Sequence, residues 1–386
     1  MKTIVVSGAI ANKPGNSGGA WERLSWVVGL RRLGFDVWFV EQIAAETCVD
    51  NTGRRCPPGD SLNLQWFQSV TRCFGLAERA ALIFRPGDEC VGASLAQLLE
   101  VANETELLVN LSGHLTWTPL LERFGRKAYV DVDPGFTQYW HADPAVPFKL
   151  AEHDCYFTIG ENIGQPDCPI PTCGICWRPV RQPVVLSDWP VTGPPDQQRF
   201  TTVASWRGAF GQVEAAGRRF GLKAHEFRKF LALPRRVPAQ FEIALDIHEG
   251  DARDRAALEE NGWRLADPKT VAGDPAGFRR YLQDSWAEYS VAQGIYVETN
   301  SGWFSERTAR YLASGKPALV QDTGFGRNVP VDEGLLSFRT LDEAVAGAEQ
   351  IAANYQRHCR AARAIAEEYF ASDKVLHKFI EEALSS

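Results

Sequence analysis

The feature that most constrains this chain is an alternation that runs twice through it: short apolar runs separated by segments with helical spacing. In the first half the runs are Thr3–Ala9, Phe35–Glu41, Leu107–Leu111, Lys127–Val132 and Cys155–Ile159. Continuous short apolar runs read as strands buried on both faces, and helices between them imply a parallel sheet covered on each side. Between the first two runs, Trp21, Leu24, Val27, Val28 and Leu30 give a buried face to a helix over about Gly19 to Arg32, with Gly34 at its C-cap. The pattern stops between Gln165 and Pro195, where Pro166, Pro169, Pro171, Pro183, Pro194 and Pro195 break any helix. It resumes with Phe200–Ala204, Phe241–Ile247, Trp263–Ala266, Ile295–Glu298 and Ala318–Gln321, and the chain ends in helical segments over Leu341–Tyr369 and Lys374–Leu384.

At 386 residues the chain exceeds what one core usually fills, about 250–300 residues. The expected fold is therefore α/β, with two doubly wound Rossmann-like domains over residues 1–185 and 195–370. Two such sheets facing each other make a central cleft, because doubly wound sheets bind ligands at the carboxyl ends of their strands.

Bulk properties exclude several classes. A net charge of −7 is a poor match to nonspecific nucleic-acid binding, so no nucleic-acid partner is expected. No apolar run approaches the ~20 residues of a transmembrane segment. The opening MKTIVVSGAIA runs straight into a Gly-rich turn and is read as a first strand, and the protein as cytoplasmic. Nine scattered cysteines fit reduced thiols. Cys173 and Cys176 form a CxxC near Cys168, but no second pair stands at zinc spacing, so no metal is expected.

The strongest local signal runs from Gly302 to Pro317. Ser305 is placed to cap a helix that Gly315 and Pro317 end. Free amides and the positive dipole end of such a helix suit a diphosphate, and Arg307 in the first turn is read as facing the cleft beside them. A second signal is the loop Asn12-Lys-Pro-Gly-Asn-Ser-Gly-Gly-Ala20, which lacks GxGxxG spacing and so disfavours a dinucleotide oxidoreductase.

The stretch from about 285 to 385, with its strand, Gly-containing turn, helix and Gly-x-Pro, resembles the carboxyl-terminal domain of GT-B glycosyltransferases. Ala318-Leu-Val-Gln-Asp-Thr-Gly-Phe325, Gly334-Leu-Leu and the Thr340–Glu343 capping box continue that pattern. The Gly18-Gly19 loop resembles the one facing the sugar and phosphates in the same enzymes. The resemblance implies a glycosyltransferase (EC 2.4) that moves a sugar from a nucleotide-sugar donor to an acceptor. No cofactor is implied beyond that donor. A nucleotide-sugar epimerase and a non-catalytic sugar-nucleotide-binding protein are the alternatives.

Donor binding is implied for Gly18, Gly19, Arg207, Lys223, Gly302, Ser305, Glu306 and Arg307. Arg207 and Lys223 stand for the two cations that offset phosphate charge. Glu298 and Glu306 are spaced like the Glu-x7-Glu of many retaining members. However, Arg310 occupies the place of the second Glu, five residues before Gly315, so the spacing is read as coincidence. Asp133 and His114, at ends of first-domain strands, are the candidate catalytic bases. Trp117, Phe136, Tyr139 and Trp140 are candidate stacking surfaces for a sugar or acceptor. The resemblance also implies that the last helix, 373–386, crosses back to the first domain.

Overall fold

The computed structural model describes residues 2–87, 89–146, 150–208, 210–215 and 217–385. The first sheet has eight strands: β1 Thr3–Ser7, β2 Asp36–Ala44, β3 Ala80–Arg85, β4 Glu89–Gly92, β5 Thr105–Leu111, β6 Lys127–Asp131, β7 Cys155–Thr158 and β8 Trp177–Pro179. Their order is β4-β3-β2-β1-β5-β6-β7-β8. Only β4 is antiparallel, beside β3. Ile4, Val5 and Val6 are all buried because helices cover both faces of the sheet. β3 and β8 were not legible as strands. β8 lies inside the Pro-rich stretch at the sheet's edge, where a proline removes no needed ladder bond.

The second domain contains β9 Arg199–Ser205, a small hairpin of β10 Glu214–Ala215 and β11 Arg218–Arg219, β12 Gln240–Asp246, β13 Arg264–Ala266, β14 Ala287–Ser290, β15 Ala318–Gln321 and β16 Leu335–Phe338. Its six-stranded sheet has the order β13-β12-β9-β14-β15-β16, all parallel. Each sheet reverses its winding at one central gap, β1/β5 in the first and β9/β14 in the second. A crevice opens beyond the strand ends at such a point.

Two sequence expectations fail here. Ile295–Glu298 is not a strand but lies in the short helix Gly294–Glu298, and the strand is β14, just before it. Glu288 in β14 hid that apolar run: it is fully buried, and its charge is met by Arg307 at 2.8 Å. Leu341–Tyr369 is not continuous. Helix Leu341–Ala353, capped by Thr340 with Glu343 in return, breaks at Asn354 before helix Tyr355–Ile365.

The last helix, Ser372–Leu384, packs on the first domain. Leu376, Phe379 and Ala383 join the core formed by Trp26, Val27 and Leu30. Phe379 lies 5.0 Å from Trp26 and 4.6 Å from Phe157, centroid to centroid. The outgoing and returning segments run side by side: Val184 N donates to Phe370 O at 2.7 Å, and Ser372 N to Val184 O at 2.9 Å. No helix among the described residues is long and apolar enough to cross a membrane.

Candidate active site

At the first switch point the loop after β1 is held from within. Glu41, fully buried on β2, accepts the amides of Ile10 at 2.8 Å, Ala11 at 2.7 Å and Asn12 at 2.9 Å. Burial pushes this carboxyl up to about 7 even with those three donors. Three successive amides form an anion-binding concavity, and here a side chain of the same domain fills it. Asn16 then caps the first helix, Ser17–Arg32, by accepting from Gly19 N at 2.9 Å. Gly18 faces Phe278 of the second domain, where a Cβ would lie 3.4 Å from the ring. The Gly19 amide is thus taken by the cap, and Gly18 lies beside the second domain.

Asp131 ends β6, buried, and accepts from Thr137 at 2.6 Å, Thr158 at 2.7 Å, Gln138 at 2.9 Å and the Asp133 amide at 3.0 Å. It braces the turn that presents Asp133. The Asp133 side chain is half-buried and makes no hydrogen bond among the described residues. Burial and then the Asp131 charge raise it to about 6, against the pull of Arg23 and Lys13. His114, also half-buried, is lowered to about 3 by burial and by Arg23 and Lys13. At neutral pH it is uncharged and a weak base, so Asp133 is the better proton acceptor of the two.

In the second domain Ser305 caps helix Glu306–Ala313 by accepting from Arg307 N at 3.2 Å. The Arg307 head group does not face the cleft. Its Nε donates to Glu288 at 2.8 Å, Nη1 to Val203 O at 2.9 Å and Nη2 to Ser290 Oγ at 2.7 Å. A buried carboxylate on β14 draws the guanidinium down between β9 and β14, which corrects the expectation from its position in the first turn. Arg207 also turns away, into a bidentate pair with Asp251 at 2.8 and 2.9 Å.

Lys223 behaves differently. It is half-buried and makes no hydrogen bond or ion pair among the described residues. Burial and then Arg307 lower it to about 8, while Glu306 and Glu288 act in the opposite sense. An unpaired cation and a helix amino terminus are both groups that attract anions. Glu306 stands at that terminus, with Ser305 Oγ 3.3 Å from its Oε2.

Gly302 lies at the contact between the two domains. Its amide donates to Thr323 O at 2.8 Å, and with φ +75° its open face abuts Asn162 of the first domain, where a Cβ would lie 2.9 Å from Cγ. Asn162 is fully buried and ties the domains together. Nδ2 donates to Asn300 O at 2.9 Å and Gly324 O at 3.1 Å, while Oδ1 accepts from Asn328 Nδ2 at 3.1 Å.

Two further groups were missed because their partners are distant in sequence. Glu22 pairs with Arg23 and accepts from Gln182 at 2.7 Å. Burial raises it to about 7, with Glu306 and Asp133 among the charges that act on it. Arg310, buried, donates to Ser25 Oγ of the first domain at 2.9 Å. Among the aromatics, Phe136 and Trp140 pack on Phe210, and Tyr139 on Phe220, all from the second domain. Trp117 lies apart, stacked under Arg85. Among the described residues no three His, Cys, Asp or Glu gather as a metal site.

No protein-family model matches the chain, and no curated sequence does. Solved structures do match over essentially the whole length. An alpha-glucosyltransferase in complex with UDP and a 13-mer DNA aligns with TM-score 0.61 at 10% identity, covering 99% of each chain. Anabaena HepE in complex with UDP and glucose aligns with TM-score 0.57 at 11% identity, covering 100% of each. Sucrose-phosphate synthase from Thermosynechococcus elongatus gives TM-score 0.55 at 10% identity, over 99% of this chain and 98% of that one. With both sheets, both switch points and the returning helix in place, the chain has the GT-B fold of two Rossmann-like domains about a cleft.

Proposed function

We propose that the chain is a glycosyltransferase that moves a sugar from a nucleoside-diphosphate donor to a hydroxyl of an acceptor. The observation that carries this reading is the unpartnered Lys223 beside the Ser305 helix terminus, with Asp133 presented from the other domain. The second domain is read as the donor side. Lys223 and the amides of Glu306 and Thr308 hold the diphosphate, while the Arg307 amide stays with the Ser305 cap, and Glu306 reaches the donor from the first turn. The first domain is read as the acceptor side, since Glu41 already fills its anion-binding loop.

In the reaction, Asp133 takes the proton of the acceptor hydroxyl as that oxygen bonds to the anomeric carbon. The bond from that carbon to the phosphate oxygen breaks, and its electron pair leaves with the diphosphate. Negative charge grows on the leaving group, where Lys223 and the helix dipole are already placed, so they favour the transition state over the bound donor.

The acceptor is proposed to be a small molecule or glycan. DNA, carried by one structural neighbour, fits poorly with a net charge of −7. Nine free thiols favour a reducing compartment such as the cytoplasm.

The test is incubation with a panel of nucleotide sugars, with product analysis. Slow release of free sugar and nucleoside diphosphate, accelerated by an acceptor, is the expected outcome. Conversion of the donor to its epimer, or binding with no turnover under any acceptor, would sink the proposal.

A further inference from the structure

Gln293 follows β14 at the second switch point and is 6% exposed. Its Oε1 is buried without a hydrogen-bond partner, and its side chain makes no hydrogen bond among the described residues. Although it stands at the N-cap of helix Gly294–Glu298, it makes no capping bond. The glutamine at the end of the next strand is the contrast. Gln321, equally buried, accepts from Ala292 N at 3.1 Å and donates to Glu226 at 2.8 Å. A buried carboxamide left unpaired costs stability, so its retention points to a partner that arrives from outside.

Its surroundings indicate which partner. On one side Gly294 touches Gly221, two residues before Lys223: a Cβ there would lie 2.8 Å from Gly221 O. On the other side the same short helix reaches the first domain. Ile295 lies against Gly135, in the turn that follows Asp133, and Tyr296 packs edge-on against Phe136, with ring centroids 6.0 Å apart. Gln293 therefore stands between the cation assigned to the diphosphate and the turn that presents Asp133. With the diphosphate on Lys223 and the base at Asp133, as proposed above, the bond to be broken falls in that interval and the glycosyl unit fills it. The turn Ser205–Gly208 covers the carboxamide with a residue that has no side chain. Gly208 has φ +86°, and a Cβ there would lie 2.6 Å from Nε2 and 2.7 Å from Oε1.

We infer that Gln293 is a specificity-determining residue, whose carboxamide accepts and donates hydrogen bonds to a hydroxyl of the transferred sugar. This rests on the glycosyltransferase reading above. A hydroxyl both donates and accepts, as the carboxamide does. A site built around such a pair discriminates strongly against a sugar that lacks the group.

The test is Gln293→Met, which keeps the volume and removes the polar atoms. Its melting temperature without ligand is measured, together with its affinity for two matched pairs, UDP with UDP-glucose and GDP with GDP-mannose. The inference predicts a melting temperature equal to or above wild type, unchanged affinity for the nucleoside diphosphate, and about tenfold weaker binding of the nucleotide sugar. A lower melting temperature without ligand would make Gln293 structural, and equal loss for diphosphate and nucleotide sugar would move the contact to the nucleotide. Equal affinity of wild type and variant for the sugar nucleotide would overturn the inference alone. If wild type binds neither pair, the donor-site reading falls and takes this inference with it.

Discussion

The two sheets of this protein share a winding pattern, yet their switch points have opposite chemistry. In the first, Glu41 saturates three successive loop amides, so the concavity that would take a phosphate already holds a carboxylate. In the second, the loop side supplies Lys223 without a partner, and the helix side supplies a capped amino terminus. The strand orders at these points match, so the proposed division of labour rests on a few side chains rather than on topology. Fold alone would allow either domain to hold a nucleotide. The internal anion in one and the unpaired cation in the other break that symmetry.

The largest expected effect concerns the acceptor side. Asp133→Asn removes the proposed base and should lower turnover by about 10²–10⁴-fold with donor affinity kept. Single-turnover rates with separate nucleotide titrations check this, and a variant as fast as wild type would leave the first domain without its catalytic group. The pH profile sharpens the same contrast. Asp133 must be ionised, so kcat/KM rises through about 6, and Lys223 must be protonated, so it falls above about 8. Folding raises the Asp133 carboxyl, so the stability it contributes is present in acid and lost as pH rises through about 6. The Asn variant should therefore melt higher than wild type at pH 8, by about 2–4 °C.

Arg307→Ala comes next, and here the effect is on folding. Removing the guanidinium leaves Glu288 buried and unpaired, which should cost about 3–5 kcal/mol in denaturant unfolding. Loss of nucleotide affinity at unchanged stability would return Arg307 to the cleft.

Glu41→Ala is expected to be milder, about 2–3 kcal/mol, because three loop amides lose their acceptor. Affinity for a nucleoside diphosphate should not change. A second nucleotide site appearing in this variant would mean that the first domain was only masked.

The fold was largely legible because buried parallel strands appear in the sequence as apolar runs. Where a strand carries a buried charge, as β14 carries Glu288, the run is disguised until its partner Arg307 is known. The Ser305 cap was legible because capping is local. The direction of the Arg307 head was not, since it depends on a residue 19 positions away on the preceding strand. The partners of Asn162, Glu22 and Arg310 were not legible because they are distant in sequence, in the other domain for Asn162 and Arg310 and at Gln182 of the same domain for Glu22. Gly302 was read from the resemblance as a donor-binding position, and the neighbour of its open face, Asn162, was not legible because it is 140 positions away on the first domain.

The central claim is that the nucleoside diphosphate binds the second domain. The most direct test is calorimetric titration of UDP and GDP into wild type, Lys223→Met and Lys13→Met. Lys13 is the exposed cation at the first switch point, lying 5.7 Å over the Phe210 ring. The account predicts one site in wild type, weakened about 10- to 100-fold in Lys223→Met and nearly unchanged in Lys13→Met. Binding that survives Lys223→Met but is lost in Lys13→Met would place the nucleotide on the wrong domain and contradict the account.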